Sequence, residues 1–192
     1  MIAARLVRAV PGAGLALCLA ALCPQAPQAA TRADHGELEY EIKAEFVERF
    51  AYYVEWPAEA FASDTSAFTI CVEGDSPMRA NLEKILANRR IKARPALVIG
   101  LKAGESSTGC HILYLAPSEW ERVEEIVGQI GDSAVLIVGD SLGFAESGVH
   151  ITLFLEGSHV RFSINAVSAR ANGLILSAKL LALARPVAAG KR

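Results

Sequence analysis

The pentapeptide GDSLG, residues 139–143, is the stretch of the sequence most typical of a catalytic site. It matches the Gly-x-Ser-x-Gly pattern, in which a serine on a sharp strand-to-helix turn acts as a nucleophile, here Ser141. That turn requires a helix directly after the serine, whereas FAESGVHI leads within a few residues into another strand. The sequence contains no Asp-x-x-His that would supply a base, and His150 and His159 stand at strand starts. We therefore interpret the motif as a turn, and a serine esterase using Ser141 is the enzymatic alternative.

The histidines and the glycine loops do not form a recognisable cofactor site. His35, His111, His150 and His159 show no His-x-x-x-His spacing, and the cysteines show no Cys-x-x-Cys spacing. The loops GLKAGESSTG and GDSLGF lack the lysine of a P-loop and the Gly-x-Gly-x-x-Gly spacing of dinucleotide-binding loops. The sequence therefore predicts no metal, no cofactor and no catalytic residue.

One weak binding site is indicated where the first predicted strand ends. Open α/β sheets bind ligands beyond the carboxyl ends of their strands, and a helix N-terminus attracts anions. Gly74, Asp75 and Ser76 lie at such a position, directly before a predicted helix. The simpler interpretation is that Ser76 caps this helix. A small ligand-binding protein is therefore a second functional alternative.

The first 30 residues have the layout of a secretory signal peptide. Arg5 and Arg8 precede an apolar core over residues 13–23, and small residues with prolines follow. The apolar run is too short to span a bilayer, which requires ~20 residues. We expect export to the periplasm, removal of residues 1–30 and one domain over residues 31–192. The net charge of −2 and the absence of a basic stripe argue against nucleic-acid binding.

Export determines which cysteines remain in the mature protein. Cys18 and Cys23 leave with the signal peptide, so only Cys71 in the strand FTICVEG and Cys110 at the start of CHILYLA are retained. An even number of cysteines in an oxidising compartment favours a disulfide between them. Two buried free thiols are the alternative, because the sequence does not show that the two strands are neighbours.

The order of the elements predicts an α/β domain. Apolar residues recur every three or four positions from Leu38 to Val54, with Lys43 among the charged residues of the opposite helix face. The strands FTICVEG, PALVIGL, CHILYLA and AVLIVGD follow, with one helix after the first strand and another after the third. VHITLFL and HVRFSIN then flank EGS as an antiparallel hairpin. We expect a three-layer domain with a mixed, mostly parallel sheet, flanked by helices and ending in the edge hairpin.

The last predicted element, LILSAKLLALA, is a helix that is apolar nearly all round. Such a helix is either deeply packed or presents an apolar face to a partner. The hairpin and the first helix could bury it completely, so both interpretations stay open. The candidate partner or dimer surface consists of Leu174, Ile175, Leu176, Leu180, Leu181 and Leu183.

Several segments together resemble the YfiR family of exported proteins over about residues 41–184. They are FVERFAYYVEWP, FTICVEG before SPMRANLEKIL, GCHILYLAPSE, and the run from AVLIVGDSLG to LILSAKLLALA. The resemblance implies a non-enzymatic periplasmic regulator that binds the periplasmic sensor part of an inner-membrane diguanylate cyclase and represses it. It also implies that an outer-membrane lipoprotein releases the cyclase, which raises cyclic di-GMP and controls biofilm formation.

The chain departs from part of this family at one point. Members related to the founding protein carry a second cysteine pair in the segment equivalent to FAESGVHITL, where this sequence has Ala145 and Thr152. Redox control through that second pair is therefore not expected here. A homodimer is a further partner to consider, beside the cyclase and the lipoprotein.

Overall fold

The computed structural model describes residues 32–185, which form five α-helices and nine strands. The predicted signal peptide lies outside the described residues. The helices are α1 (Arg32–Tyr53), α2 (Met78–Leu86), α3 (Val123–Ile130), α4 (Ala166–Ala171) and α5 (Ala178–Leu183). The strands are β1 (Val54–Glu55), β2 (Phe68–Glu73), β3 (Arg90–Ile91), β4 (Arg94–Leu101), β5 (Ile112–Leu115), β6 (Leu136–Gly139), β7 (Ile151–Glu156), β8 (His159–Ile164) and β9 (Ile175–Leu176). Among the described residues, no helix combines the length and the apolar composition that crossing a bilayer requires.

Seven of the strands form one sheet in the order β3-β4-β2-β5-β6-β7-β8. The five strands from β4 to β7 run parallel to one another. At the edges, β3 pairs antiparallel with β4, and β8 pairs antiparallel with β7. The predicted mixed, mostly parallel sheet with an edge hairpin is confirmed, and β3 is a short strand that the sequence analysis did not predict.

Helices cover both faces of this sheet. On one face, α1, α2 and α5 pack against alternate residues of the central strands, among them Ile70, Ile112 and Leu136. On the other face, α3 packs against the intervening residues, such as Leu113 and Ile137. Strands that are buried on both faces need apolar residues at every position, which explains their continuous apolar runs. The predicted three-layer architecture is therefore confirmed.

Helix α1 departs from the predicted pattern in its first turns. Phe50 is buried as expected, but Leu38 and Ile42 are 56% and 37% exposed. Lys43, which the pattern assigns to the solvent face, is only 4% exposed. Lys43 is buried because of a tertiary contact with Asp140, an acid 97 residues away in the sequence.

The C-terminal segment is not the single helix that the sequence analysis predicted. It begins with β9, which pairs antiparallel with β1 and places Leu176 opposite Val54. The helix α5 starts only after this pairing ends, where the Ser177 hydroxyl accepts the N–H of Leu180 at 3.2 Å. The chain is extended here because β1 offers backbone hydrogen bonds, which helix propensity alone does not reveal.

Candidate functional site

The structure divides the predicted partner surface into buried and exposed residues. Leu174, Leu176 and Leu180 are at most 9% exposed and belong to the core on the α1 face of the sheet. The prediction is therefore wrong for these three leucines, which the monomer already covers. Leu181 is partly buried against the same core.

Ile175 and Leu183 are the two members of this set that solvent reaches freely. They are 63% and 67% exposed, respectively. In a strand, successive side chains point to opposite sides, so burial of Leu176 turns Ile175 outward. Leu183 lies at the last residue of α5, beyond the turn that buries Leu180. The candidate contact surface is therefore reduced to Ile175 and Leu183.

Cys71 and Cys110 form a disulfide in the structure. Their Cα atoms are 5.8 Å apart, and the residues are 1% and 6% exposed. Cys71 lies in β2, and Cys110 lies two residues before β5, which pairs directly with β2. This strand adjacency is the fact that the sequence left open. The bond lies in the core between the sheet and α3, so it stabilises the fold without forming part of a reactive surface.

Ser141 lies in a turn after β6, without the surroundings of a nucleophile. Residues 141–148 form bends and turns where a nucleophile elbow needs a helix. His150 is fully buried, and both its ring nitrogens are bonded. Its Nδ1 accepts the N–H of Ile137, and its Nε2 donates to the Asn172 side-chain oxygen, each at 3.1 Å. Because neither nitrogen is free to take a proton from Ser141, the geometry gives the esterase alternative no support.

The loop of Gly74, Asp75 and Ser76 is held by hydrogen bonds within the domain. The Asp75 N–H donates to the Ser118 hydroxyl at 3.0 Å. The Ser76 hydroxyl accepts the N–H of Met78, the first residue of α2, at 3.2 Å. The simpler interpretation of Ser76 as a helix cap therefore matches the observed contacts.

Buried carboxylates beside this loop oppose an anion site. Glu73 and Glu119 are 3% and 8% exposed, and both accept hydrogen bonds from Arg122, at 3.0 and 2.8 Å. Burial raises the pKa of Glu73, while Arg122 acts in the opposite direction. A Cβ at Gly74 would come within 2.8 Å of the Glu119 carboxylate. Two carboxylates outweigh one guanidinium, so the predicted anion site gains no electrostatic support.

A buried polar cluster at the end of β6 was missed by the sequence analysis. The Asp140 carboxylate accepts hydrogen bonds from Lys43 at 2.5 Å and from the Tyr114 hydroxyl at 2.6 Å. Lys43 also pairs with Glu39, one helical turn earlier. Asp140 directly follows the apolar run of β6. A polar residue at the carboxyl end of a parallel strand is the sequence signal that could have identified this cluster. Its partner on α1 could not be found from the sequence.

The same cluster raises the pKa of two tyrosines. Burial, together with the negative charge of Asp140, raises the pKa of Tyr40 to about 12. Burial and then Asp140 also raise the pKa of Tyr114. Both phenols therefore stay neutral in the physiological pH range. Because Asp140 and Glu39 both face Lys43, its charge is already compensated, and the cluster acts as a connection between α1, β5 and β6.

A groove of about 550 Å³ lies beside this cluster, between the start of α1 and the start of α2. Tyr40, Asn81 and Lys84 are among the residues that line it. Lys84 is paired with Glu41 at 2.7 Å. Among the described residues, no group of three or more His, Cys, Asp or Glu side chains could hold a metal ion. The groove is the feature of the structure that favours the small ligand-binding alternative.

The geometry defines an α/β protein whose buried polar clusters connect secondary-structure elements and whose C-terminal segment exposes the apolar residues Ile175 and Leu183. Comparison with protein families gives a match over residues 40–185 to the family described as YfiR/HmsC-like. The chain belongs to this family, as its resemblance to the YfiR family predicts. A search of curated proteins finds no match.

Proposed function

We propose that this protein is an exported regulator without catalytic activity, which binds the periplasmic sensor part of an inner-membrane diguanylate cyclase and represses it. The observation that carries the proposal is the family match, which extends over every described strand and over α1 from Tyr40 onward. In this scheme, an outer-membrane lipoprotein competes for the regulator, and its action raises cyclic di-GMP. Biofilm formation is the downstream response.

We assign the partner contact to Ile175 and Leu183, the two exposed members of the predicted surface. Full burial of a leucine or isoleucine side chain stabilises a complex by ~1.5 to 3 kcal/mol. About two thirds of each side chain is exposed, so a partner would gain roughly 1 to 2 kcal/mol from each residue. A lysine at either position would leave a charge in that contact and weaken binding.

The test is repression in cells that lack the native gene and carry a plasmid copy. Wild-type protein is expected to lower cellular cyclic di-GMP, whereas Ile175→Lys and Leu183→Lys are expected to lose most of this effect. Leu155→Lys, which makes the same kind of change at a residue 47% exposed in β7, serves as the matched control. Periplasmic levels and thermal melting of each variant show whether it is folded. Folded lysine variants that repress as well as wild type would exclude this surface.

The groove beside Tyr40 supports a small ligand-binding protein as a second candidate. Calorimetric titration of the mature protein with periplasmic extract fractions would detect such a ligand, and Tyr40→Ala should abolish the signal. For the esterase alternative, hydrolysis of generic esters that disappears in Ser141→Ala would contradict the regulatory proposal.

A further inference from the structure

A short basic segment lies at one edge of the main sheet, where β3 meets β4. Four of its six residues are basic, namely Arg89, Arg90, Lys92 and Arg94. The sequence contains no aspartate or glutamate between Glu83 and Glu105, although the whole chain has a net charge of −2. The overall negative charge therefore conceals a local excess of positive charge, and we call residues 89–94 the basic tip.

A tight hairpin presents the basic tip to solvent. β3 and β4 pair antiparallel, and the two residues between them, Lys92 and Ala93, form the turn. Both turn residues have positive φ values, 48° and 65°, as a type I′ hairpin turn requires. Ile91, directly before the turn, is fully buried in the core and anchors the hairpin to the domain. Arg89 and Arg90 precede it and are exposed, as is Lys92.

Most of the positive charge in the basic tip is not matched by acidic residues. Arg89 pairs with Glu48 at 3.2 Å. The other three side chains donate instead to neutral backbone carbonyl oxygens, at 2.8 Å for Arg90, 2.5 Å for Lys92 and 2.6 Å for Arg94. Burial lowers the pKa of Lys92, and the charge of Glu55 opposes this change. Among residues 32–185, two carboxylates thus act on four cations, which leaves an excess of positive charge.

Aromatic side chains flank the basic tip. The hydroxyl of Tyr52, a residue that is 48% exposed, donates to the Arg90 carbonyl at 3.1 Å. The Lys92 amine lies 5.3 Å from the centre of the partly buried Trp56 ring. Tyrosine and tryptophan are enriched at the level of lipid headgroups, because each ring has an apolar body and a polar group. Cations beside such rings favour a bilayer surface over an acidic protein as the binding partner.

We propose that the basic tip binds an anionic phospholipid surface, with its cations among the headgroup phosphates. For an exported protein, this surface is the periplasmic face of the inner membrane. The lipid phosphates supply the negative charge that the domain itself does not place around the basic tip. Each basic residue near an anionic bilayer strengthens partitioning roughly fivefold. The inference rests on the export assumed in the proposed function, but not on the cyclase contact.

The basic tip adjoins the residue assigned to the partner contact. Lys92 donates to the carbonyl of Val54, the first residue of β1. β1 pairs with β9, where Glu55 lies opposite Ile175. Binding of the basic tip to the bilayer therefore holds Ile175 near the membrane, where the sensor part of an inner-membrane cyclase begins.

Binding of the purified mature protein to phospholipid vesicles tests the proposal. Co-sedimentation at low salt compares vesicles of equal parts phosphatidylglycerol and phosphatidylethanolamine with vesicles of phosphatidylcholine alone. Wild type is expected to bind only the anionic vesicles. This binding should weaken as salt is added, because screening limits the attraction to about 8 Å at physiological ionic strength. Arg90→Gln combined with Lys92→Gln should lower the partition coefficient roughly 25-fold, which is the product of two fivefold losses.

Arg161→Gln combined with Lys179→Gln is the matched control. It removes the same two charges from exposed positions in β8 and α5, and β8 is the strand at the opposite edge of the sheet. This variant should bind anionic vesicles as wild type does, because the net charge changes equally while the basic tip is intact. Thermal melting of each variant shows whether it is folded, and the comparison of vesicle types needs wild type alone.

Three results would overturn the proposal. The first is equal binding of wild type to anionic and neutral vesicles, and the second is a folded Arg90/Lys92 variant that binds as wild type does. The third is loss of repression in cells by that variant when wild type binds no vesicles, because the basic tip would then contact an acidic protein. Failure of the vesicle assay is distinguishable from failure of the proposed function, because the assay contains no cyclase.

Discussion

Replacing Asp140 with alanine tests whether the buried cluster holds the helix α1 onto the sheet. The change removes the acceptor for both Lys43 and the Tyr114 hydroxyl. Lys43 then keeps Glu39 as its partner, since these two residues also pair. The Tyr114 hydroxyl loses its partner in a residue that is 0% exposed.

The expected loss can be estimated from these contacts. Removing one partner of a buried ion pair typically costs ~3 to 5 kcal/mol, because an uncompensated charge stays inside the protein. A buried hydroxyl left without a partner adds about 1 to 3 kcal/mol. Glu39 compensates part of the Lys43 charge, so we place the total below the sum of these two ranges, at about 3 kcal/mol. Asp140→Asn retains an acceptor for Tyr114 and should cost less.

Urea unfolding of the oxidised mature protein at neutral pH measures this effect. Lys43→Met and Asp140→Asn are made singly and together, because a double-mutant cycle isolates the interaction between the two residues. The double variant contains neither charge, so it should be more stable than the sum of the single losses indicates, by roughly 1.5 to 3 kcal/mol.

Two results would refute this reasoning. The first is an Asp140→Ala variant that loses less than about 1 kcal/mol, which is the range of an exposed pair. The second is additivity of the two single changes to within about 0.5 kcal/mol, which would mean that Lys43 and Asp140 do not interact energetically. Leu142→Lys, two residues from Asp140 and 73% exposed, is the control and should change stability little.

Two further predictions concern the disulfide and pH. Cys71→Ser should lower the free energy of unfolding by roughly 4 kcal/mol in the chain-entropy model, because the bond joins residues 39 positions apart. Thiol labelling of the native wild-type protein without reductant should detect neither cysteine. Full labelling of both cysteines would contradict the bond. Burial lowers the pKa of His150 to about 4 from an ordinary 6.5. Between these two pH values the unfolded chain therefore binds more protons than the folded chain. The free energy of unfolding that is present above pH 6.5 should fall by roughly 3 kcal/mol as the pH approaches 4. Urea midpoints across that range measure this slope, which should be shallower in His150→Gln; an unchanged slope would show that another group is responsible.

The sequence by itself determined the elements and their type. Continuous apolar runs bounded by glycine and polar residues identified the strands β2, β4, β5 and β6, and the EGS turn identified the β7–β8 hairpin. These signals are local, because strand burial and turn chemistry depend on neighbouring residues. The sequence also reduced the cysteines of the mature protein to Cys71 and Cys110, on the expectation of export. The family resemblance came from the order of such segments along the chain.

Tertiary structure alone decided which residues meet. The helical periodicity assigns Lys43 to the solvent-facing side of α1. Its burial is favourable because the fold places Asp140, at the end of β6, within ion-pair distance of it. Leu174 and Leu176 read as part of a helix, but pairing of β9 with β1 places the segment in an extended conformation and buries both side chains. Each of these facts depends on a contact between distant parts of the chain, which local propensity and periodicity do not encode.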